Sequence, residues 1–95
     1  MREKEIEQYL VKKVKEIGGK AFKFTSPGNN GVPDRMVCLP GGRIFFVELK
    51  APGGKTRPDQ NNQIKKLHDL GCEVFVIDNK ETINRLIEFW NNEAV

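Results

Sequence analysis

The chain has 95 residues and a net charge of +3, and 38% of its residues are hydrophobic. This length predicts a single small domain over residues 1–95, with a thin core of its own. A membrane span needs about 20 apolar residues, whereas the longest apolar runs here have four residues. The charged N-terminus also lacks the apolar stretch of a secretory signal. We therefore expect an intracellular, cytoplasmic protein with reduced cysteines and no membrane partner, and the slight basic excess permits nucleic-acid binding without requiring it.

Glycine and proline divide the chain into seven predicted elements. Gly18 and Gly19 end a first helix, whose apolar residues recur every three or four positions. The Pro-Gly-Gly segment at 40–42 predicts a tight hairpin turn, and Pro58 suits the first turn of a second helix. In chain order, the predicted elements are a helix over 3–17, strands over 21–25, 35–39 and 43–50, a helix over 58–70, a strand over 73–77 and a last helix after residue 80.

These elements follow the order α-β-β-β-α-β-α. The hairpin makes its two strands antiparallel, whereas the strand after the second helix should lie parallel to a neighbour, joined by a right-handed crossover. The sequence therefore predicts an α/β fold with a mixed β-sheet flanked by helices. The last helix carries Phe89 and Trp90 near its end, and we expect both to leave apolar surface for a partner chain.

An acidic and a basic side chain stand at the end of the third strand. Side chains alternate along a strand, so Glu48 and Lys50 share one face. Charges at the end of an apolar strand are costly to bury unless they are paired or bind a metal. A salt bridge at the end of the sheet would explain this pair by itself, so a metal site needs a further observation.

Asp34, at the start of the preceding strand, supplies that observation. In an antiparallel hairpin the start of one strand lies beside the end of the next. A two-residue loop would place Asp34 opposite Leu49, on the wrong face, whereas a three-residue loop or a bulge places it opposite Glu48. We therefore predict the odd-numbered loop or a bulge. Two carboxylates beside a lysine are typical of a Mg²⁺ site for phosphodiester cleavage.

These residues resemble a known nuclease signature. Asp34 follows a proline and precedes the Glu-Leu-Lys segment 48–50 by fourteen positions, which is similar to the PD-(D/E)XK motif. The likeness extends to Gly-Val-Pro at 31–33, to 46–53, to Gln60 and to 70–74. Over nearly its whole length the chain resembles the virus-type replication-repair nuclease domain, VRR-NUC, in its stand-alone bacteriophage form. The resemblance implies a restriction-endonuclease-like fold and a Mg²⁺- or Mn²⁺-dependent deoxyribonuclease that leaves 5′-phosphate and 3′-hydroxyl ends.

The resemblance also implies roles for the residues at the sheet end. Asp34 and Glu48 would hold the metal, with the Leu49 carbonyl as a further oxygen ligand. Lys50 would orient the attacking water or stabilise the charge that develops on the phosphate. All of these positions would then belong to one catalytic centre.

Two helical residues complete the implied site. Glu7 matches the first-helix acid of the family and would bind a metal-bound water or a second metal, although a solvated acid in a first turn would explain it as well. Gln60 matches the family's glutamine beside the lysine, and its alternative role is an early-helix surface residue. Members often have a small hydroxyl residue at the cap of that helix, where this chain has Thr56 and Arg57.

Basic residues near these positions are candidate DNA contacts. Lys55 and Arg57 follow Lys50 in a flexible loop, and Lys12 and Lys23 belong to a second basic cluster. A solvated surface would explain either cluster equally well. Since no recognition helix is evident, we expect binding that selects DNA structure rather than sequence.

A homodimer is the assembly we expect for so short a chain. Two active sites related by a twofold axis fit a four-way (Holliday) junction, and the resemblance to phage members implies the same substrate. Two alternatives stay open: a monomeric nuclease for flaps or nicked branches, and a non-catalytic DNA-binding module that keeps the nuclease fold. No nucleotide cofactor is expected, and a phage protein would act in the host cytoplasm.

Overall fold

A computed structural model describes residues 1–93 and has the predicted order of elements. Their bounds are α1 Glu3–Glu16, β1 Lys20–Lys23, β2 Arg35–Leu39, β3 Arg43–Leu49, α2 Pro58–Asp69, β4 Val74–Ile77 and α3 Lys80–Asn92. β1 ends earlier than predicted because its last residue, Lys23, pairs with Arg35, the first residue of β2. Within residues 1–93 no helix is long and apolar enough to cross a membrane.

The four strands form one mixed sheet in the order β1-β2-β3-β4. β2 is antiparallel to both of its neighbours, whereas β4 is parallel to β3. The parallel pair follows from the crossover through α2, because a short turn cannot join parallel strands. The predicted fold class, a mixed sheet flanked by helices in the order α-β-β-β-α-β-α, is confirmed.

The hairpin between β2 and β3 has the predicted three-residue loop. Leu39 pairs with Arg43, which leaves residues 40–42 as the loop. Gly41 and Gly42 have positive φ angles of 85° and 77°, and glycine adopts this backbone region without the penalty that a Cβ imposes. The register continues to Arg35 opposite Val47, so the next pair outward brings Asp34 and Glu48 to the same face.

The two faces of the sheet differ sharply in burial. We call the face formed by odd-numbered strand residues the inner face and the other the outer face. Helices α1 and α3 pack on the inner face, and the side chains of the hydrophobic core cluster all belong to it or to these two helices. Ile6, Leu10 and Val14 recur every four residues along α1 and form the helical half of this core.

The expectation that Trp90 leaves exposed surface is wrong. Its side chain is fully buried, stacks on Phe45 with 5.0 Å between ring centroids and meets Phe75 edge-on at 5.8 Å. Trp90 lies on the same face of α3 as Ile83 and Ile87, so the helix points it into the core. Phe89, one position earlier, is 56% exposed. Helical phase therefore separates two neighbouring aromatic residues that sequence proximity grouped together.

Candidate active site

Asp34 is held against the end of β3 by its own side chain. It lies one residue before β2, and its Oδ2 accepts a hydrogen bond of 2.9 Å from the backbone N–H of Leu49. The carboxylate thus accepts the hydrogen bond of a β3 N–H group just beyond the last residue pair of β2 and β3. The Asp34 carbonyl also accepts from the N–H of Phe24 at 2.9 Å. Bonds to both neighbouring strand ends fix the position of this carboxylate.

Glu48 is the buried acid of the site, with 2% of its surface exposed. Its Oε2 accepts from Gln60 Nε2 at 2.7 Å and from Lys50 Nζ at 3.2 Å. Its Oε1 is also buried, and among residues 1–93 it has no hydrogen-bond partner. An unsatisfied buried carboxylate oxygen is costly to the fold, so its presence indicates a ligand-binding role.

The surroundings of Glu48 oppose its ionisation. Burial is the main reason that the pKa of this carboxyl lies above its usual range, and the negative charge of Asp34 raises it further. The hydrogen bond and positive charge of Lys50 act in the opposite direction and only partly compensate. Two carboxylates that repel each other in a desolvated pocket would be stabilised by a cation between them.

Lys50 lies at the junction of β3 and β4. Its backbone N–H donates to the Ile77 carbonyl at 2.9 Å, the point at which β4 ends. Its side chain lies on the outer face with that of Glu48, and only 9% of the residue is exposed. An ammonium group so poorly hydrated interacts strongly with any anion that enters the pocket. The structure therefore brings Asp34, Glu48 and Lys50 together at one end of the sheet.

Gln60 joins α2 to this cluster through both ends of its amide. Its Oε1 accepts from the N–H of Arg57, the residue that caps α2, at 2.9 Å. Its Nε2 donates to Glu48, and the residue is only 6% exposed. Gln60 itself thus supplies the hydrogen bond of a capping box, and the missing hydroxyl residue at the cap does not leave this helix end unsatisfied. Sequence reasoning identified Gln60 but not this double contact.

Comparisons with known proteins identify the family. The sequence profile of the VRR-NUC domain matches residues 2–81. The chain belongs to the VRR-NUC family. It is 52% identical over 81 residues to a protein named Putative nuclease p44 from Acyrthosiphon pisum secondary endosymbiont phage 1, covering 85% of this chain and 87% of that protein. A solved VRR-NUC domain structure superposes with a TM-score of 0.84 at 32% identity, covering 90% of this chain and 94% of the other.

The first-helix acid of this VRR-NUC domain does not lie with the other carboxylates. Glu7 Oε2 accepts from Arg35 Nε at 2.8 Å and lies 3.7 Å from Lys23 Nζ. Arg35 is opposite Val47 and so belongs to the inner face, away from Glu48. A water or second metal at Glu7 would have to compete with both cations. The role predicted for Glu7 stays a prediction, and the sequence gave no signal of its pairing with Arg35.

Glu3, one helical turn before Glu7, was not identified from the sequence. Its negative charge is among the causes that raise the pKa of Glu48, whereas Glu7 is not. Glu3 is exposed in the first turn of α1. The only sequence signal was its four-residue spacing from Glu7, which places both on one side of the helix.

The candidate DNA-binding residues lie at two places. Lys55 and Arg57 are exposed in the segment between Lys50 and α2, where Arg57 Nε contacts Asp59 Oδ1 at 3.2 Å. Lys12 is exposed on α1, and Lys23, at the end of β1, pairs with Glu7. Lys55 and Arg57 therefore lie close to Lys50 in sequence and directly before the start of α2. Lys12 and Lys23 lie on the side of the sheet that α1 covers.

A close backbone contact positions α2 over the site. Gly31 has a φ of +90°, and a Cβ there would lie 2.6 Å from the backbone C and O of Asp59. We expect Gly31→Ala to push the start of α2, and with it Gln60, away from Glu48. Urea unfolding should show a loss of roughly 2–4 kcal/mol, which combines left-handed strain with overpacking, and cleavage should fall.

Gly28 provides the matched control for that substitution. Its φ is +82°, but a Cβ there would meet nothing within 4 Å. Gly28→Ala should therefore cost only about 1–2 kcal/mol from backbone strain and leave the cleavage rate unchanged. Equal losses of stability in the two variants would contradict the steric account of Gly31.

Proposed function

We propose that this VRR-NUC protein is a Mg²⁺- or Mn²⁺-dependent endonuclease that hydrolyses phosphodiester bonds in branched DNA, such as four-way junctions. The observation that carries the proposal is the buried Oε1 of Glu48, which has no hydrogen-bond partner within residues 1–93 although Asp34 and Lys50 stand beside it. An acid in this state suits cation binding better than a structural salt bridge. The family's nuclease domain supports the same reaction class.

The donor set fits a hard divalent cation. Asp34, Glu48 and the Leu49 carbonyl would hold it, and all three groups offer oxygen. Mg²⁺ keeps several waters and is commonly bound through one or two carboxylates. When bound, the cation would supply Lewis-acid activation of water and neutralise charge on the scissile phosphate.

The protein's own residues position and polarise the reacting groups. The Leu49 N–H holds Asp34 through one oxygen, and Gln60 holds Glu48 through Oε2. Each contact aims a carboxylate while leaving a second oxygen for other partners. The Lys50 side chain would donate a hydrogen bond to the attacking water or to a phosphate oxygen, where the negative charge of the transition state develops.

The homodimer and the DNA contacts belong to the same proposal. Two copies related by a twofold axis would present two active sites to the two strands that a four-way junction exchanges. Lys55 and Arg57 would contact phosphates next to the scissile one, with Lys12 and Lys23 contacting more distant phosphates. The phage relative, named Putative nuclease p44, supports only the coarser part of the proposal, that the substrate is a nucleic acid.

A cleavage assay on defined DNA tests this proposal. Four-way junction, flap and linear duplex DNA are incubated with Mg²⁺, with Mn²⁺ or with EDTA, and Asp34→Ala is the control for contaminating nucleases. We expect metal-dependent cleavage of the junction above that of the duplex, and at least about 100-fold less with Asp34→Ala. Preference for the flap would favour the monomeric branch nuclease. Binding without cleavage under any metal would favour the DNA-binding module.

A further inference from the structure

The chain between Lys50 and α2 begins with a closed turn. The N–H of Gly54 donates to the carbonyl of Ala51 at 2.8 Å, and Gly53 has a φ of 76°. Proline at the second position of a turn and glycine with positive φ at the third are typical of a type II turn. The hydrogen bond of such a turn joins its first and fourth residues, so the N–H of Gly53 needs an acceptor from elsewhere.

Asp78 supplies that acceptor from a distant part of the chain. Its Oδ2 accepts from the N–H of Gly53 at 3.1 Å, although the two residues are 25 positions apart. Asp78 directly follows Ile77, the last residue of β4, whose carbonyl accepts from the N–H of Lys50. The end of β4 therefore contacts this segment twice, through the backbone at Lys50 and through a side chain at Gly53.

The carboxylate of Asp78 is itself held in place. Its Oδ1 accepts from Asn79 Nδ2 at 2.8 Å, and Asn79 Oδ1 caps α3 by accepting from the N–H of Thr82 at 2.7 Å. The hydrogen bonds from the Asn79 side chain and from the Gly53 backbone hold the pKa of Asp78 below its usual range. Asp78 thus connects the fixed start of a helix to the turn after the active-site lysine.

This segment carries the candidate phosphate contacts nearest to the active site. Residues 50–57 include three basic residues and no acidic residue. Lys55 and Arg57 are both exposed. The segment is held at Gly53 by Asp78 and at Arg57 by Gln60. Lys55 therefore lies between two anchored positions of the backbone.

A negative charge at position 78 requires an explanation. An acid next to a segment that binds phosphates repels the DNA and weakens binding, unless its position brings a larger benefit. Capping of α3 does not supply that benefit, because the side chain of Asn79 already caps this helix. The contact that belongs to Asp78 alone is its bond to the N–H of Gly53.

We propose that Asp78 is a positioning residue, which holds residues 51–57 so that Lys55 and Arg57 are oriented towards the DNA phosphates before DNA binds. The inference rests on the DNA binding of the proposed function, and it adds a residue that acts through others. A segment with two adjacent glycines has much conformational freedom to lose on binding. Asp78 removes part of that freedom in advance, which raises the affinity for DNA.

Two substitutions of Asp78 separate its position from its charge. Asp78→Ala and Asp78→Asn remove the same negative charge, but asparagine keeps an oxygen that can accept from Gly53. Asp69→Ala is the matched control, because Asp69 is an exposed acid at the other end of α2 and pairs with Lys65. Circular dichroism checks folding, and NMR follows the exchange of the Gly53 N–H. The affinity for a labelled four-way junction is measured in EDTA, and single-turnover cleavage is measured with Mg²⁺.

We expect Asp78→Ala to weaken junction binding about tenfold, although it removes a charge that repels DNA. Its Gly53 N–H should exchange faster than that of wild type. The slope of log affinity against log salt concentration should shrink by about 1–2, because each phosphate contact contributes about 0.9. Asp78→Asn should bind within about threefold of wild type, and Asp69→Ala as tightly as wild type or tighter. Single-turnover cleavage at saturating enzyme should stay within about threefold in all three variants.

A double-mutant comparison tests whether Asp78 acts through the two basic residues. In a chain that carries Lys55→Ala and Arg57→Ala, the further change Asp78→Ala should not weaken junction binding again. Coupling of this kind is expected only where one residue works through the others. A second loss of about tenfold in this background would contradict the inference.

Three further results would overturn it. Equal affinities of Asp78→Ala and Asp78→Asn would show that charge alone matters. Unchanged affinity with a lower single-turnover rate would assign Asp78 to the reaction rather than to binding. A wild type that binds no DNA would remove the role of Asp78 together with the proposed function. If the wild type binds the junction without cleaving it, the proposed function fails, while the affinities of the variants still decide the role of Asp78.

Discussion

Lys50→Ala is expected to lower the cleavage rate about 10²- to 10³-fold, the loss typical of removing one donor aimed at transition-state charge. Lys50 Nζ lies 3.2 Å from Glu48 Oε2 in a pocket that leaves the residue 9% exposed. Poor hydration makes its charge effective there, and no other lysine is buried among the described residues. Single-turnover cleavage at saturating enzyme measures the chemical step apart from DNA binding.

Folding of the Lys50 variant should be largely preserved. The backbone N–H of Lys50 still bonds Ile77, and Glu48 keeps its bond from Gln60. Because the pKa of Glu48 is already raised, this carboxyl can take up a proton when its cation partner is removed. Lys55→Ala is the matched control, since Lys55 is exposed, and it should change binding more than the chemical step. Cleavage by Lys50→Ala at the wild-type rate would disprove the assignment.

Glu48→Gln should abolish cleavage and at the same time stabilise the metal-free protein at neutral pH. The substitution keeps the size of the side chain and an oxygen for Gln60, but it removes a buried negative charge next to Asp34. An unsatisfied buried group costs about 1–3 kcal/mol, so we expect a gain of about 1 kcal/mol in urea unfolding. Added Mg²⁺ should raise the melting temperature of wild type and have little effect on the variant.

The stabilisation by Glu48→Gln should depend on pH in a defined direction. The pKa of Glu48 in the folded protein lies above the ordinary value of 4.5, so between these two values the folded state binds more protons than the unfolded state. Stability of wild type therefore falls as the pH rises through this interval, whereas the glutamine does not titrate. The advantage of the variant should be full above the folded-state pKa and disappear below about pH 4.5. An advantage that grows at low pH would contradict this account.

The residues of the candidate site were predictable where local rules apply. Strand alternation placed Glu48 and Lys50 on one face, and the requirement that Asp34 share this face predicted a three-residue loop or a bulge in the Pro-Gly-Gly hairpin. The observed pairing of Leu39 with Arg43 confirms that loop. These inferences needed only the two-residue period of strands and the geometry of a short turn, both of which are local properties of the chain.

Other features depend on which elements meet in space. The contact of Glu7 with Arg35 joins residues 28 positions apart, and that of Gln60 with Glu48 needs the start of α2 to lie on the outer face. Two neighbouring residues of α3 likewise differ in burial, since Trp90 is buried in the core and Phe89 is exposed. The residue pattern within one helix or strand does not indicate which other element will pack against it. The side chains that are buried by such contacts therefore could not be assigned from the sequence.

The sequence by itself determined the order of the elements and the candidate cluster of Asp34, Glu48 and Lys50. These follow from turn residues and strand periodicity, which act over a few residues. Only the tertiary structure decided how that cluster is desolvated, why Glu48 resists ionisation and which face of the sheet carries the hydrophobic core. Burial and electrostatic coupling depend on the packing of distant segments. The short chain has helices on both faces of its sheet, but its core cluster lies on the inner face alone.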